Sequence, residues 1–198
     1  MEIRRVTLTG RAAIMAPLDH DHAADILEAL RDGDACRFLR WGPLSTSEEA
    51  HALIDEAHRH EAAGQALPFA IQLKGSGKTI GSTRLLDIRP KDRQVEVGST
   101  FIAPAYWSSA ASLEHRLLLL THCFEALRCI RVSVKMDVRN TRARVAAEQQ
   151  GYVQEGILRK ERNIKGYQRD TVYYSILEDE WPTVRSWLLA KLDKKMND

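Results

Sequence analysis

The segment from residue 113 to residue 138 constrains the fold more than any other part of the chain. Its first half carries apolar residues at intervals of three and four, the stripe expected of a helix with one buried face. These residues are Leu113, Leu117, Leu120, Phe124 and Leu127. The second half alternates apolar with polar residues, as a strand with one face on the core does. Its apolar positions are Ile130, Val132, Val134, Met136 and Val138.

A further strand is predicted over residues 93–102, directly before this helix. The helix is therefore a crossover between two strands. Because crossover connections join strands that run in the same direction, we predict that residues 93–102 and 130–138 form a parallel pair.

The chain ahead of these strands predicts two helices. Asp19 stands where the cap of the first helix belongs, and residues 31–34 end that helix. Ser45 lies three residues before Glu48, a capping-box pattern that begins a second helix running towards Gly64. Both helices precede the first predicted strand.

The remaining elements complete a mixed α/β domain. The predicted strands cover residues 69–73, 79–86, 93–102, 130–138, 153–162 and 171–177. The first three form an antiparallel meander. A helix over residues 141–150 stops at Gly151, and residues 179–182 begin a C-terminal helix. We predict one domain over residues 1–198, with a mostly antiparallel twisted sheet that contains one parallel pair and is flanked by helices.

Length and charge exclude several classes of protein. The chain has 198 residues, 44% of them hydrophobic, which suits one domain with a sizeable core. Its 29 lysines and arginines oppose 27 acidic residues, so a net charge of +2 supplies no overall field for nucleic acid or membrane. The densest apolar run, residues 117–120, is far shorter than the roughly 20 residues of a membrane-spanning helix. We expect a soluble protein without a nucleic-acid or membrane partner.

The cysteines and histidines predict neither disulfides nor a metal. Cys36, Cys123 and Cys129 form no CxxC pair, and an odd count favours reduced thiols and a cytoplasmic location. Two His-x-His pairs, at residues 20–22 and 58–60, resemble pairs of metal ligands. Side chains two apart on a helix diverge, however, and no cysteine or acidic partner set completes a site.

Several short motifs follow one another in an order that is more specific than any of them alone. They are residues 37–43 (RFLRWGP), 95–102 (VEVGSTFI), 137–142 (DVRNTR) and 171–177 (TVYYSIL), the last followed by Glu180-Trp181. Together, over about residues 11–190, they resemble the GNAT superfamily of N-acetyltransferases, and within it the branch of ribosomal-protein alanine N-acetyltransferases.

The resemblance implies the GNAT fold, acetyl-CoA as co-substrate, no metal, and an amine that attacks the thioester directly while both substrates are bound. The acceptor is a primary amine, either a protein or peptide N-terminus or a small molecule. A homodimer is implied only at the level of the family. The alternative is a catalytically silent module of the same fold, in which cofactor binding is weakened or lost.

The chemistry requires a base, because an α-ammonium with a pKa of about 7.7–8.0 is mostly protonated and non-nucleophilic at neutral pH. Glu96 lies on an alternating strand and points opposite to Val95 and Val97, towards the cleft if those valines face the core. We predict that Glu96 is the general base, acting through water. The alternative is an exposed strand glutamate paired with an arginine.

The resemblance also assigns residues to the coenzyme. The main chain of Phe101, Ile102 and Ala103 is expected to bind the pantetheine arm, and Asn140 matches a family asparagine that contacts it. Asn140 is equally suited to cap a helix. Arg142 is a candidate for the phosphates, with a solvated surface arginine as the alternative.

The phosphate-binding segment departs from the family pattern. Relatives have a glycine-rich loop there, whereas residues 105–114 of this chain contain no glycine. Where such a loop needs a positive φ, a β-carbon costs about 1–2 kcal/mol. Small residues and a following helix N-terminus still suit a phosphate, and a plain helix cap is the alternative. The segment is Ser108, Ser109, Ala110, Ala111 and Ser112.

The sequence defines the general acid and the pocket for the acceptor amine less clearly than the general base. Ala143 stands where many relatives carry a serine proposed to reprotonate the leaving thiolate, so that role is unassigned, with Tyr173 or Tyr174 as weaker candidates. Trp41 and Tyr174 are our predicted acceptor-side residues. For Trp41, hydrophobic cover of the core is an equal alternative.

Overall fold

The computed structural model describes residues 1–31 and 33–197, and its centre is an eight-stranded sheet. The strand order is β1-β2-β3-β4-β5-β6-β8-β7, and every neighbouring pair is antiparallel except β5 and β6. The strands are β1 (Leu8–Thr9), β2 (Ala13–Pro17), β3 (Ala66–Leu73), β4 (Thr79–Arg89), β5 (Gln94–Ile102), β6 (Arg131–Asp137), β7 (Val153–Ile164) and β8 (Tyr167–Leu177). The predicted mixed α/β class and the parallel pair are confirmed.

Helices cover both faces of this sheet. They are α1 (Ala23–Arg31), α2 (Gly33–Cys36), α3 (Ser47–Ala62), α4 (Ala110–Thr121), α5 (Thr141–Gln149) and α6 (Trp181–Asn197). One core joins α4, α5 and α6 to the sheet, and a second core lies under α1, α2 and α3. Consecutive residues of β3 divide between them, since Phe69 packs in the first core and Ala70 in the second. Among the helices of the described residues, none combines the length and apolarity needed to cross a bilayer.

The predicted helix boundaries are close to the observed ones, with one shift at α3. Thr46 is the cap residue, and its hydroxyl accepts the N–H of Glu49 at 3.3 Å, while Glu49 accepts the N–H of Thr46 at 3.1 Å. The prediction placed this box one residue earlier, at Ser45 and Glu48. Two hydroxyl residues followed by two glutamates fit either register, and only the backbone geometry selects one. Of the predicted end of α1 at residues 31–34, Asp32 lies outside the described residues.

The N-terminal hairpin of β1 and β2 was not predicted. Its turn is held by Glu114 of α4, whose carboxylate accepts the N–H groups of Arg11, Ala12 and Ala13 at 2.8, 2.6 and 2.8 Å. Glu114 is only 3% exposed. Gly10 permits the close approach, because a β-carbon there would lie 2.3 Å from the Glu114 carboxyl carbon. The hairpin is therefore attached to the helix that follows the predicted phosphate loop.

We expect Glu114→Ala to lower the free energy of unfolding by about 3–5 kcal/mol, because three backbone N–H groups lose a charged acceptor in a buried site. Urea denaturation monitored by circular dichroism measures the change. Asp193→Ala is the control, since Asp193 contacts the same hairpin only through an exposed ion pair to Arg11. A loss below about 1 kcal/mol in Glu114→Ala, similar to that of the control, would contradict this account.

Candidate active site

Strands β5 and β6 pair over a short distance and then separate. Gln94 lies opposite Arg131, and Glu96 lies opposite Ser133, where the ladder of the described strands ends. Beyond this point β5 contains a bulge, since its register with β4 shifts and Ser99 has a φ of 49°. A bulge bends its strand and increases the local twist. The bend accompanies the gap that opens between β5 and β6.

This gap is part of a cavity of about 250 Å³. One wall is β5 from residue 96 to 100, and another is β6 from residue 134 to 137. Helix α5 and the loop after α2 form further parts of the wall, the loop through residues 38–41. The cavity therefore extends from the gap between β5 and β6 to the loop after α2.

Glu96 lies inside this cavity, at the point where the strands separate. It is 6% exposed, and its Oε2 lies 2.7 Å from Nζ of Lys135 on β6. Burial raises the pKa of Glu96, although the hydrogen bond and charge of Lys135 oppose that shift. A β-carbon on Gly98 would lie 3.1 Å from Oε1 of Glu96, so glycine leaves room for this carboxylate. The predicted position of Glu96 agrees with the structure, and its role as base stays a prediction.

A polar network that the sequence did not predict continues from Glu96 across β8. The Lys135 Nζ lies 5.6 Å from the centroid of the Tyr173 ring, and the Tyr173 hydroxyl donates to Glu161 at 3.0 Å. The hydroxyl of Thr171 also donates to Glu161, at 2.9 Å, and accepts from Nε of Arg169 at 2.9 Å. Polar positions alternate with apolar ones along β6 and β8, and from that alternation the sequence could have indicated a polar face on these strands.

Of the two predicted acceptor-side residues, the structure brings only Trp41 to the cavity. Its carbonyl accepts from Nζ of Lys165 at 2.9 Å, and the buried Arg84 guanidinium lies 5.5 Å from the Trp41 ring centroid. No described group accepts a hydrogen bond from the buried Trp41 Nε1. Trp41 therefore lines the cavity and carries a buried indole N–H that has no acceptor among the described residues.

Tyr174 does not line the cavity. Its side chain is buried, and its hydroxyl bonds to Glu148 at 2.9 Å, to Gln154 at 3.2 Å and to Arg144 at 3.2 Å. Neighbouring residues of a strand point to opposite faces, so Tyr173 faces the Glu96 side and Tyr174 faces α5. Neither tyrosine lines the cavity, and Tyr173 is the one whose ring lies next to Lys135, the partner of Glu96.

The predicted pantetheine contacts on β5 also lie outside the cavity wall. Phe101 and Ile102 are buried in the two cores, and the Ile102 carbonyl accepts from Trp107 Nε1 at 2.8 Å. The Ala103 N–H donates to the carbonyl of Ile80 at 2.7 Å. These main-chain groups already have partners within the fold. The cavity instead meets β5 at residues 97–100, beside the bulge.

The glycine-free loop adopts a strained conformation at one residue. Ser108 has a φ of 60°, in the left-handed region that glycine occupies without cost. Ser109 caps α4, and its hydroxyl accepts the N–H of Ser112 at 3.1 Å. The Ser108 carbonyl accepts from Nζ of Lys195 at 2.7 Å, which brings a cation from α6 to the loop. The structure therefore contains the helix cap that was the alternative prediction together with a positive φ. None of residues 108–112 lines the cavity, and their role in phosphate binding stays a prediction.

Helix α5 presents Asn140 and Arg142 to the same cavity. The Asn140 side chain accepts the N–H of Ala143 at 3.2 Å, so it caps the helix as well as lining the cavity. The Arg142 guanidinium stacks on Trp107, 3.2 Å from the ring centroid. Arg142 thereby connects the cavity to the loop that carries Ser108.

Arg116 of α4 is an unforeseen part of the cavity wall. Its Nε and Nη1 atoms are buried, and the described residues offer them no hydrogen-bond partner. The guanidinium lies 6.0 Å from the ring centroid of Tyr152, and burial raises the pKa of the Tyr152 hydroxyl against the opposing effect of Arg116. On the preceding residue, burial lowers the pKa of His115 to about 3, so that imidazole is neutral. Two consecutive polar residues inside an apolar helix were the sequence signal for this feature.

This geometry coincides with similarity to known proteins. The family model of the acetyltransferase (GNAT) domain matches residues 13–153. The chain belongs to the GNAT family. It is an acyltransferase of that family, which uses acetyl-CoA as co-substrate, and the predicted family and enzyme class are confirmed.

Three similar proteins illustrate the relationship. YdaF of Bacillus subtilis strain 168, whose name carries a provisional assignment as a ribosomal N-acetyltransferase, is 27% identical over 144 residues, which cover 73% of this chain and 77% of YdaF. The crystal structure of a GCN5-related N-acetyltransferase from Brucella melitensis is 29% identical, with a TM-score of 0.91 over 96% of this chain and 86% of that one. Mycobacterium smegmatis RimJ, solved in complex with CoA-disulfide, is 20% identical, with a TM-score of 0.76 over 94% of this chain and 93% of its own.

We expect Ser108→Gly to raise the free energy of unfolding by up to about 1 kcal/mol. Glycine removes a left-handed strain of about 1–2 kcal/mol, and its greater freedom in the unfolded chain offsets part of that gain. Ser109→Ala is the neighbouring control, and loss of its cap should cost about 1 kcal/mol. Urea denaturation of both variants measures whether the free energy of unfolding rises in Ser108→Gly and falls in Ser109→Ala. Equal destabilisation by both changes would contradict a strained Ser108.

Proposed function

We propose that this enzyme transfers the acetyl group of acetyl-CoA to a primary amine by direct attack while both substrates are bound. The observation that carries the proposal is a buried carboxylate, Glu96, at the point where β5 and β6 separate inside the cavity. A peptide or protein N-terminus is the acceptor that we favour over a small-molecule amine. The provisional ribosomal assignment of YdaF supports that preference.

In this mechanism Glu96 removes the proton that would otherwise keep the acceptor amine charged. Burial raises its pKa towards the working range of a general base, and the Lys135 ammonium keeps the carboxylate sufficiently stable to remain ionised. A water molecule relays the proton from the amine to the carboxylate. The neutral amine then attacks the thioester carbonyl, the carbon–sulfur bond breaks, and the nitrogen releases a second proton as the amide forms. That proton balances the one that the leaving thiolate takes up.

The leaving thiolate needs a proton, and Ala143 has none to give. Tyr173 is our candidate for this role in place of Tyr174. Burial raises the pKa of Tyr173, as does its hydrogen bond to Glu161, so the hydroxyl remains protonated at neutral pH. Its ring lies next to Lys135, which contacts Glu96, so the candidate donor and the candidate base neighbour the same lysine.

The coenzyme is held, in our proposal, by groups that replace the missing glycines. Ser108 already has the positive φ of a phosphate-binding turn, and the N-terminus of α4 follows it. Lys195 and Arg142 supply cations beside this loop. The unpaired N–H groups of Arg116 then donate to the coenzyme inside the cavity, where no protein group accepts from them among the described residues.

We expect Glu96→Gln to lower kcat/KM at pH 7 by about 10²–10³-fold, because the amide cannot accept the proton. The deficit should shrink near pH 9, where an α-amine with a pKa of about 8 is already neutral. For the wild type, kcat/KM should fall on acidification as the carboxylate of raised pKa becomes protonated. Steady-state assays with acetyl-CoA and an alanine-terminated peptide, measured against pH, give these values.

The control for this experiment is Glu155→Gln. Glu155 lies on β7, is paired with Arg131 and is not part of the cavity wall, so its loss should leave the pH profile unchanged. If Glu96→Gln retained the wild-type kcat/KM at pH 7, Glu96 would not be the base.

A second experiment tests coenzyme binding separately from turnover. Acetyl-CoA at about 100 times its Kd should stabilise the wild type by roughly 2.7 kcal/mol. Arg116→Met should weaken acetyl-CoA binding about 10-fold or more, a loss of about 1.4 kcal/mol. Without coenzyme, the same variant should unfold at the wild-type temperature or above, because it removes buried N–H groups that have no partner. Calorimetry and thermal unfolding measure the two effects.

Arg185→Met is the matched control, since Arg185 forms an ion pair with Glu125 on the surface and does not line the cavity. Unchanged affinity in Arg116→Met would remove Arg116 from the coenzyme site. If millimolar acetyl-CoA did not stabilise the wild type, the silent binding module would be the better description of this chain.

A further inference from the structure

Four side chains that the catalytic proposal does not use converge on the outer helical layer. His51, Asp55 and His58 follow one another along one face of α3, at spacings of four and three. His20, in the turn before α1, contacts them. Its Nδ1 lies 2.8 Å from Nδ1 of His51, its Nε2 lies 3.1 Å from Oδ1 of Asp55, and its ring meets that of His58 edge-on at 5.5 Å.

The hydrogen bonds around this cluster prepare ring nitrogens to act as ligands. Nε2 of His58 lies 2.9 Å from the carbonyl oxygen of Leu18, and since a carbonyl can only accept, Nε2 carries the proton. The lone pair of His58 is therefore on Nδ1. Histidines that bind metals in proteins commonly donate their other N–H to a backbone carbonyl in this way.

His20 shows the same division of roles when its Nδ1–H donates to His51. Its Nε2 then carries a lone pair that faces the Asp55 carboxylate across 3.1 Å. Two acceptors at that separation repel each other unless a cation lies between them. In this tautomer a metal ion shared by Nε2 of His20 and the Asp55 carboxylate removes the repulsion. In the other tautomer Nε2–H donates to Asp55, and a metal ion replaces that proton when it binds.

We propose that His20, Asp55 and His58 form a binding site for one divalent transition-metal ion, of which Zn²⁺ is the best match. One candidate ligand atom from each residue lies within 4.8 Å of the others. Two imidazoles and a carboxylate are ligands that zinc accepts, with bonds of about 2.0–2.2 Å. The side chains of His20 and Asp55 are 41% and 52% exposed, so they are free to close on the ion and solvent can supply the fourth ligand. His51 is the outer partner that fixes the His20 ring.

The site is separate from the candidate active site, since none of these four residues lines the cavity. It connects the entry of α1 with the middle of α3, and a bound ion would fasten these two helices to each other. The sequence prediction of no metal considered the pairs His20–His22 and His58–His60. Those pairs do diverge: His22 accepts the N–H of Asp19 at 3.0 Å, and His60 lies 3.8 Å from Glu56. The acidic ligand that the prediction found lacking is Asp55.

The test is titration of the full-length protein, without an affinity tag, with ZnCl₂ in a calorimeter, together with thermal unfolding. We expect one Zn²⁺ per chain, and a rise in Tm of roughly 5–10 °C at about 100 times the Kd. His58→Ala and the shape-preserving Asp55→Asn should each weaken Zn²⁺ binding at least about 10-fold. His60→Ala, on the same helix outside the cluster, should bind Zn²⁺ as the wild type does.

Failure of the wild type to bind Zn²⁺ would overturn the proposal, as would equal affinity in Asp55→Asn and the wild type. Both measurements are made without acetyl-CoA or an acceptor. Because the cluster is outside the cavity, a negative result would leave the acetyltransferase proposal unaffected.

Discussion

The parting of β5 and β6 is the feature on which the rest of the candidate site depends. The two strands pair side by side only from Gln94 to Glu96, and the bulge at Ser99 then bends β5. A parallel pair needs a long crossover, and α4 is that crossover, so the loop before α4 follows β5 directly. The predicted phosphate loop, the strand gap and Glu96 therefore belong to a single βαβ unit.

Helix α4 combines three tasks along fewer than two turns. Ser109 caps it, Glu114 holds the N-terminal hairpin through three N–H groups, and Arg116 reaches the cavity. Because these residues share one rigid element, the position of the loop is coupled to the position of β1 and β2. The hairpin is thus a support for α4 and the predicted phosphate loop as well as the edge of the sheet.

The buried carboxylates of the cavity have cationic partners within the fold, whereas Arg116 lacks an acidic one among the described residues. Glu96 has Lys135, and Asp137 has Arg139 at 2.8 Å, so each of these carboxylates is stabilised by a cation within the fold. Arg116 has no such partner among the described residues. A buried guanidinium with free N–H groups costs free energy in the absence of a ligand, and it gains most when a ligand supplies acceptors. This imbalance is the physical basis for assigning Arg116 to the coenzyme.

The sequence alone determined most of the elements and their order, whereas the hairpin of β1 and β2 was not predicted. Hydrophobic periodicity located the crossover helix and both of its strands, and strand alternation placed Glu96 opposite its valine neighbours. It also showed that the phosphate loop lacks glycine. These features are local, because each depends on residues only a few positions apart.

Tertiary structure alone decided which distant residues meet. Lys135 reaches Glu96 from the neighbouring strand, Arg116 reaches the cavity from α4, and His20 joins α3 across about 31 residues of chain. It also turned Tyr174 towards Glu148 of α5, and Tyr173 towards Lys135 and Glu161. Periodicity gives the face on which a side chain lies, whereas its partner depends on strand register and helix packing. Those are set by the whole core, and for that reason no local pattern contained them.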